Sequence, residues 1–236
     1  MRSSLLSQLI GEVTVEQVMA PARNLSRADT KEEAAPMHSD FDVIPYPKRG
    51  EIAGYFLRDS SHVIPIETKV LISHSTPIID LPHIFLSRPF SFVIAAHRIS
   101  GYIHYSDLNK PIARVPFFGA FQMAERAIWD RIEERISDDI LLKHLEKKRF
   151  DRLRGLKKNR KRGNADLGWQ DVLSLPDIIR IGRRLHQARL TDDETTLLVE
   201  YRNRTAHANK QLIEKEGDIR SLCQVASLAL RLAGSS

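Results

Sequence analysis

Only one cysteine, Cys223, stands among 236 residues. No disulfide can close within the chain, which points to a reducing compartment. Aromatic residues are few, 7% against 28% charged, a balance that suits a helix-rich protein in water. No apolar run approaches the roughly 20 residues needed to cross a bilayer, so no membrane partner is expected. The opening MRSSLLSQLIGEV is interrupted by Gln8 and Glu12 and does not read as a signal peptide. A cytoplasmic protein is the expectation. Glycine-rich phosphate loops of the P-loop or dinucleotide type are missing, and so is Gly-x-Ser-x-Gly. The nine histidines show no His-x3-His or Cys-His spacing for zinc, so no metal site is expected.

Charge is present and unevenly placed. Residues 1–113 hold 11 Lys/Arg against 12 Asp/Glu, and the rest of the chain holds 25 against 18. The whole excess of the net +6 therefore lies in the C-terminal half. Such asymmetry favours an anionic partner for that half, with nucleic acid first. Between residues 147 and 162 ten Lys/Arg face a single acid, Asp151. Within that run Lys157, Lys158, Arg160, Lys161 and Arg162 are the expected RNA-backbone contacts. A run of this kind attracts phosphates without reading bases.

The N-terminal half reads as mixed α/β. Strand-like runs occur at 41–46, 51–57, 62–66, 91–96 and 99–105, and helix candidates at 14–20, 30–39 and 77–86. Pro36 and Pro82 make two of those helices short or kinked. Thr30 and Glu33 have capping-box spacing. Two stretches match in outline, 40–60 and 88–108: an apolar strand, a polar turn, a second strand with Gly-Tyr, then an Asp. A repeat spaced by about 50 residues implies two copies of one supersecondary unit.

From about residue 117 the pattern is helical. Phe121, Ala124, Ile128, Ile132 and Ile136 recur three or four apart, as on an amphipathic helix. One long helix that frays near Gly155 is expected over 138–163. Pro176 separates two helices within 169–186, Thr191 with Glu194 opens another over 191–210, and 217–234 forms a last apolar helix. A bundle of four or five helices follows.

The stretch EYRNRTAHANK, 200–210, is the chemically informative one. Asn203 and His207 are four apart and share a helix face, so the Asn amide could orient the imidazole. Arg202 lies five residues from His207, roughly 140° around an ideal helix. Histidine moves protons near neutral pH, and arginine offers a permanent planar charge to phosphate oxygens. Together they suit cleavage of RNA by its own 2′-hydroxyl, leaving a 2′,3′-cyclic phosphate and a 5′-hydroxyl.

Two resemblances follow. The repeat, with GYIHYSDL at 101–108 and TVEQVMAP at 14–21, resembles a pair of CBS domains. That resemblance implies a small-molecule adenine nucleotide as regulatory ligand, with Asp107 on the ribose hydroxyls and His104 where Thr or Ser is common. The first copy departs from the pattern: Leu57 and Ser60 stand where Thr and Asp would. The segment LLVEYRNRTAHANK, 197–210, within a basic helical half, looks like a HEPN domain. That likeness implies a homodimer whose two motifs line one groove, catalysis by Arg202, His207 and Asn203 with no cofactor required, and a toxin- or defence-like role. The expected fold is α+β: a tandem CBS domain over 1–113, then an all-α HEPN-like bundle over 114–236. The alternative is a non-catalytic homodimeric RNA-binding protein with a structural CBS pair.

Overall fold

The computed structural model describes residues 10–161 and 168–234, with the side chains of all but 159–161. The chain is α+β, with its strands before residue 105 and its long helices after it. It divides into two compact units. Among the described residues, an N-terminal unit comprises residues 10–116 together with Leu212–Arg220, and a helical unit comprises Phe117–Gln211 and residues 221–234.

In the N-terminal unit the two copies of the repeat are two hairpins. The first pairs β2 (Val43–Tyr46) with β3 (Gly54–Leu57), the second β6 (Phe90–Ala95) with β7 (Arg98–His104), both antiparallel. Two short strands complete the pattern, β1 (Ala20–Pro21) and β4 (Ile64–Pro65). β1 joins the second hairpin, setting Ala20 against Tyr102 and Pro21 against Gly101. β4 joins the first, setting Ile64 against Tyr55 and Pro65 against Gly54. The repeat thus extends to an apolar-Pro dipeptide laid on a Gly-Tyr dipeptide in each copy. Both glycines are sterically required. A Cβ on Gly101 would lie 2.8 Å from the Ala20 carbonyl oxygen, and one on Gly54 2.9 Å from that of Ile64. β5 (Leu71–Ser73), which the sequence pattern does not signal, runs parallel to β6 and gives the order β1-β7-β6-β5.

The faces of the two hairpins meet in an aromatic core. Tyr55 lies against Phe90 and Phe92, at centroid distances of 5.4 and 5.5 Å, and Tyr102 lies against the same two rings at 5.8 and 5.7 Å. The helices of this unit are short. α1 (Lys31–Ala34) is capped by Thr30 and passes into a 3-10 turn at Pro36, and α2 (Leu81–Phe85) carries Pro82 in its first turn. The helix expected over 14–20 is one 3-10 turn, Val15–Gln17, followed by β1. Long-range pairing overrides local preference there, because the Val15 and Glu16 amides donate to Thr76 and His74 carbonyls at 2.9 and 3.0 Å.

The helical unit is built from α3 (Pro111–Ile132, from Phe117 onward), α4 (Asp138–His144), α5 (Lys147–Lys161), α6 (Leu175–Arg184), α7 (Asp192–Ala206) and α8 (Asp218–Gly234, from Ser221 onward). The expected stripe of α3 is buried at Phe121, Ala124, Ile128 and Ile132. Ile136 lies beyond the helix, which ends at Ile132. The helix expected over 138–163 breaks at Leu145, not at Gly155. Leu145 turns to extended geometry, φ −107° and ψ 155°, and buries its side chain, while Gly155 stays helical in open space. Ser174 and Asp177 cap α6, with Pro176 in its first turn. The helix expected before Leu175 is a single 3-10 turn, Trp169–Asp171.

Candidate functional site

Helix α7 positions the Arg-His motif. Its start is closed by the expected capping box: Thr191 Oγ1 accepts from the Glu194 amide at 3.1 Å, and Glu194 accepts from the Thr191 amide at 2.9 Å. That backbone bond, with the Arg231 guanidinium of α8 at 2.8 Å, holds the Glu194 carboxyl below its usual range. Asp192, Asp193 and Glu194 also meet the positive end of the helix dipole. Leu198 and Tyr201 are buried and fix the rotation of the helix about its axis.

With Tyr201 facing the core, Arg202 is half-buried and meets Glu125 of α3. Arg202 Nε lies 3.4 Å from Glu125 Oε2, and the side chains are 31% and 17% exposed. Both atoms are buried and neither has a hydrogen-bond partner. The two charges attract without closing a bond, which leaves a buried donor and a buried acceptor short of their usual partners. Arg204 is engaged within α7, 2.7 Å from Glu200 and over the Tyr201 ring. Thr205 Oγ1 donates to the Tyr201 and Arg202 carbonyls at 3.1 and 2.8 Å, which satisfies acceptors at the end of the helix. His207 is the C-terminal cap. It is exposed and extended, φ −112° and ψ 113°, and its amide donates to the Asn203 carbonyl at 3.2 Å.

Arg202 and His207 thus sit on either side of the helix end. The ideal-helix angle between them does not apply, because the backbone leaves helical geometry at His207 itself. Asn203 is tied to His207 through its main-chain carbonyl, where the sequence suggests the side-chain amide. Glu125 is the residue that sequence reasoning misses. Its one signal is its place next to Ala124, at the border of the buried stripe on α3.

The basic run is partly committed to packing. Arg149 Nη2 lies 2.6 Å from Asp177 Oδ2 and anchors α5 to α6. Burial alone would raise the Asp177 carboxyl, but Arg149 and two hydrogen bonds from Ser174 outweigh it and hold the group below its usual range. Lys157 is half-buried with its ammonium 4.5 Å from the centroid of Trp169. Lys158 is exposed. The side chains of Arg160 and Lys161, and all of Arg162, lie outside what the structure describes.

The N-terminal unit holds a cavity of about 400 Å³ at the ends of β1 and β7 and the start of β2. Asp107 and His104 line it, with Asp40, Asp42, Phe41 and Tyr102. The Asp107 carboxylate already accepts from the His104 amide at 2.8 Å and pairs with Lys110 at 2.8 Å. His104 Nδ1 lies 2.8 Å from Ser106 Oγ, and its Nε2 is buried without a hydrogen bond, 3.9 Å from Asp42. Burial holds this imidazole below its usual pKa, against the pull of the Asp42 and Asp107 carboxylates and of Glu216. The lining has three carboxylates and neither lysine nor arginine.

Among the described residues no group of three or more His, Cys, Asp or Glu is placed to hold a metal ion, and no helix is long and apolar enough to cross a membrane. No family model, no curated protein and no solved structure matches this chain.

Proposed function

We propose that the helical unit is an endoribonuclease of the HEPN type, acting as a homodimer without a metal, and that the N-terminal unit is a CBS-type pair that takes an adenine-containing ligand. The observation that carries the first part is the Arg202–Glu125 pair on a helix that an exposed histidine, His207, closes at its C-terminal end. A guanidinium has five donors in a planar fork, and one carboxylate oxygen at 3.4 Å leaves most of that capacity for phosphate. Glu125 keeps the arginine in place and Arg202 meets the charge that develops on the phosphate oxygens. His207 takes the proton of the 2′-hydroxyl as its oxygen attacks phosphorus, or gives one to the departing 5′-oxygen. A two-fold groove supplies both imidazoles, so base and acid are present together. The bond from phosphorus to the 5′-oxygen breaks, and a cyclic phosphate and a 5′-hydroxyl result.

In the N-terminal unit the cavity lined by Asp107 and His104 supports a nucleoside or monophosphate ligand. Its carboxylates suit ribose hydroxyls, Phe41 and Tyr102 offer surface to a base, and the charge lining it opposes a triphosphate. Ligand binding there would bias the dimer, because a ligand shifts any equilibrium in which it prefers one state.

A second reading takes the same pair as a structural ion pair, which makes the helical unit a non-catalytic homodimeric RNA-binding module. Cleavage separates the two. Purified protein with end-labelled RNA in EDTA is expected to yield 2′,3′-cyclic-phosphate ends, and His207→Ala is expected to cut at least about 100-fold more slowly. No product from the natural sequence leaves only the binding module, and undiminished cutting by the variant removes His207 and the proposed mechanism.

A further inference from the structure

The motif on α7 has a neighbour that the nuclease reading leaves unused. Helix α6 carries Arg180, Arg183 and Arg184, spaced three and four residues apart and so on one face. All three are exposed. With Pro176 and Ile179 of α6 and Thr195 of α7 they line a groove of about 460 Å³.

Two of the three charges in this groove are uncompensated. Arg183 is paired with Asp192 at the start of α7. Arg180 and Arg184 make no ion pair among the described residues. Like charges four apart on a helix cost a few tenths of a kcal/mol, so the spacing works against the helix that bears it. The negative end of the helix dipole accounts for Arg183 and Arg184 in the last turn, but Arg180 lies before that turn. Three of the six lining residues are arginines, an arrangement suited to a polyanion.

Its position relative to the motif follows from helix geometry. Thr195 and Arg202 are seven residues apart on α7, almost two full turns, so they face the same side and are separated by about 10 Å along the axis.

We propose that the groove between α6 and α7 is the track that holds the RNA backbone next to the scissile phosphate, with Arg180 and Arg184 as its phosphate contacts. The inference rests on the ribonuclease reading and adds the path of the substrate, which continues past the scissile phosphate on the α6 side of Arg202. It moves the principal phosphate contacts from the 147–162 run, two of whose members serve packing, to α6.

The test uses the full-length protein, a single-stranded 2′-O-methyl RNA that cannot be cut, and fluorescence anisotropy across a series of KCl concentrations. Arg180→Gln with Arg184→Gln is expected to weaken binding at least 10-fold and to flatten the slope of log affinity against log salt by about 1.4, the worth of two single-strand phosphates. Both side chains are exposed, and circular dichroism checks that the fold is kept. Arg180→Lys with Arg184→Lys is expected to keep the slope of the natural sequence. Affinity and slope unchanged in the Gln pair, with RNA still bound, overturn the track and leave the nuclease reading standing. A Lys pair that also loses the slope shows that shape rather than charge was removed, and overturns the phosphate role. No RNA binding by the natural sequence overturns the track together with the reading beneath it.

Discussion

Gly54 and Gly101 stand where a second strand crosses at less than a side chain's distance, each opposite a proline. In Gly101→Ala the new methyl meets Met19 Sδ at 2.5 Å and the Ala20 carbonyl oxygen at 2.8 Å, so β1 has to move. A loss of about 1–3 kcal/mol is expected, read as a lower urea midpoint at unchanged slope. Gly155→Ala is the control. That glycine is helical with nothing within 4 Å of a new Cβ, and the change is expected to stabilise by up to about 1 kcal/mol. An unchanged midpoint in Gly101→Ala would show that β1 gives way freely. At this scale the sequence is legible wherever partners are close along the chain. The Thr191–Glu194 box forms as its spacing requires, and the Gly-Tyr dipeptides mark both hairpins. Glu125 is illegible, because nothing within a few residues of it signals an arginine 77 positions away.

Secondary-structure elements repeat the same division. The stripe on α3 and the hairpins follow hydrophobic period, so the sequence anticipates them. The break at Leu145 does not follow from helix propensity, since burying a leucine outweighs continuing the helix and Gly155 tolerates helical geometry. β5 is three residues long and exists through its pairing with β6. The cavity, too, arises where element ends converge: β1, the end of β7 and the start of β2 bring together residues from three separate parts of the chain. Titration calorimetry is expected to show heat with adenosine and AMP, at least 10-fold weaker binding of ATP, and loss of AMP binding in Asp107→Asn. Preferred binding of ATP would contradict the electrostatics of Asp40, Asp42 and Asp107, and silence with all three ligands would remove the nucleotide reading.

For the whole molecule, composition anticipates two halves of different character, and the structure shows two compact units. Their boundary is not a single cut. Leu212–Arg220 belongs with the N-terminal unit, where the Asn109 side chain accepts from the Leu212 and Ile213 amides at 2.7 and 2.9 Å and donates to the Ile213 carbonyl at 2.7 Å. One amide side chain thereby satisfies three backbone groups of a segment more than 100 residues away. The proposed two-copy groove also has a consequence at this scale. Light scattering at micromolar concentration is expected to give twice the 26.9 kDa chain mass, and a strict monomer would remove the shared groove. By itself the sequence determined what depends on neighbours along the chain: the uneven charge, the period of the helices, the doubled Gly-Tyr hairpin and the cap that opens α7. Tertiary structure alone decided which residues meet: Glu125 with Arg202, Arg149 with Asp177, each apolar-Pro strand with its Gly-Tyr partner, and the α6 arginines with the flank of α7. The reason is physical, since local patterns act through fixed geometry over a few residues, whereas these pairings depend on how buried faces stack, and no short stretch of chain encodes that.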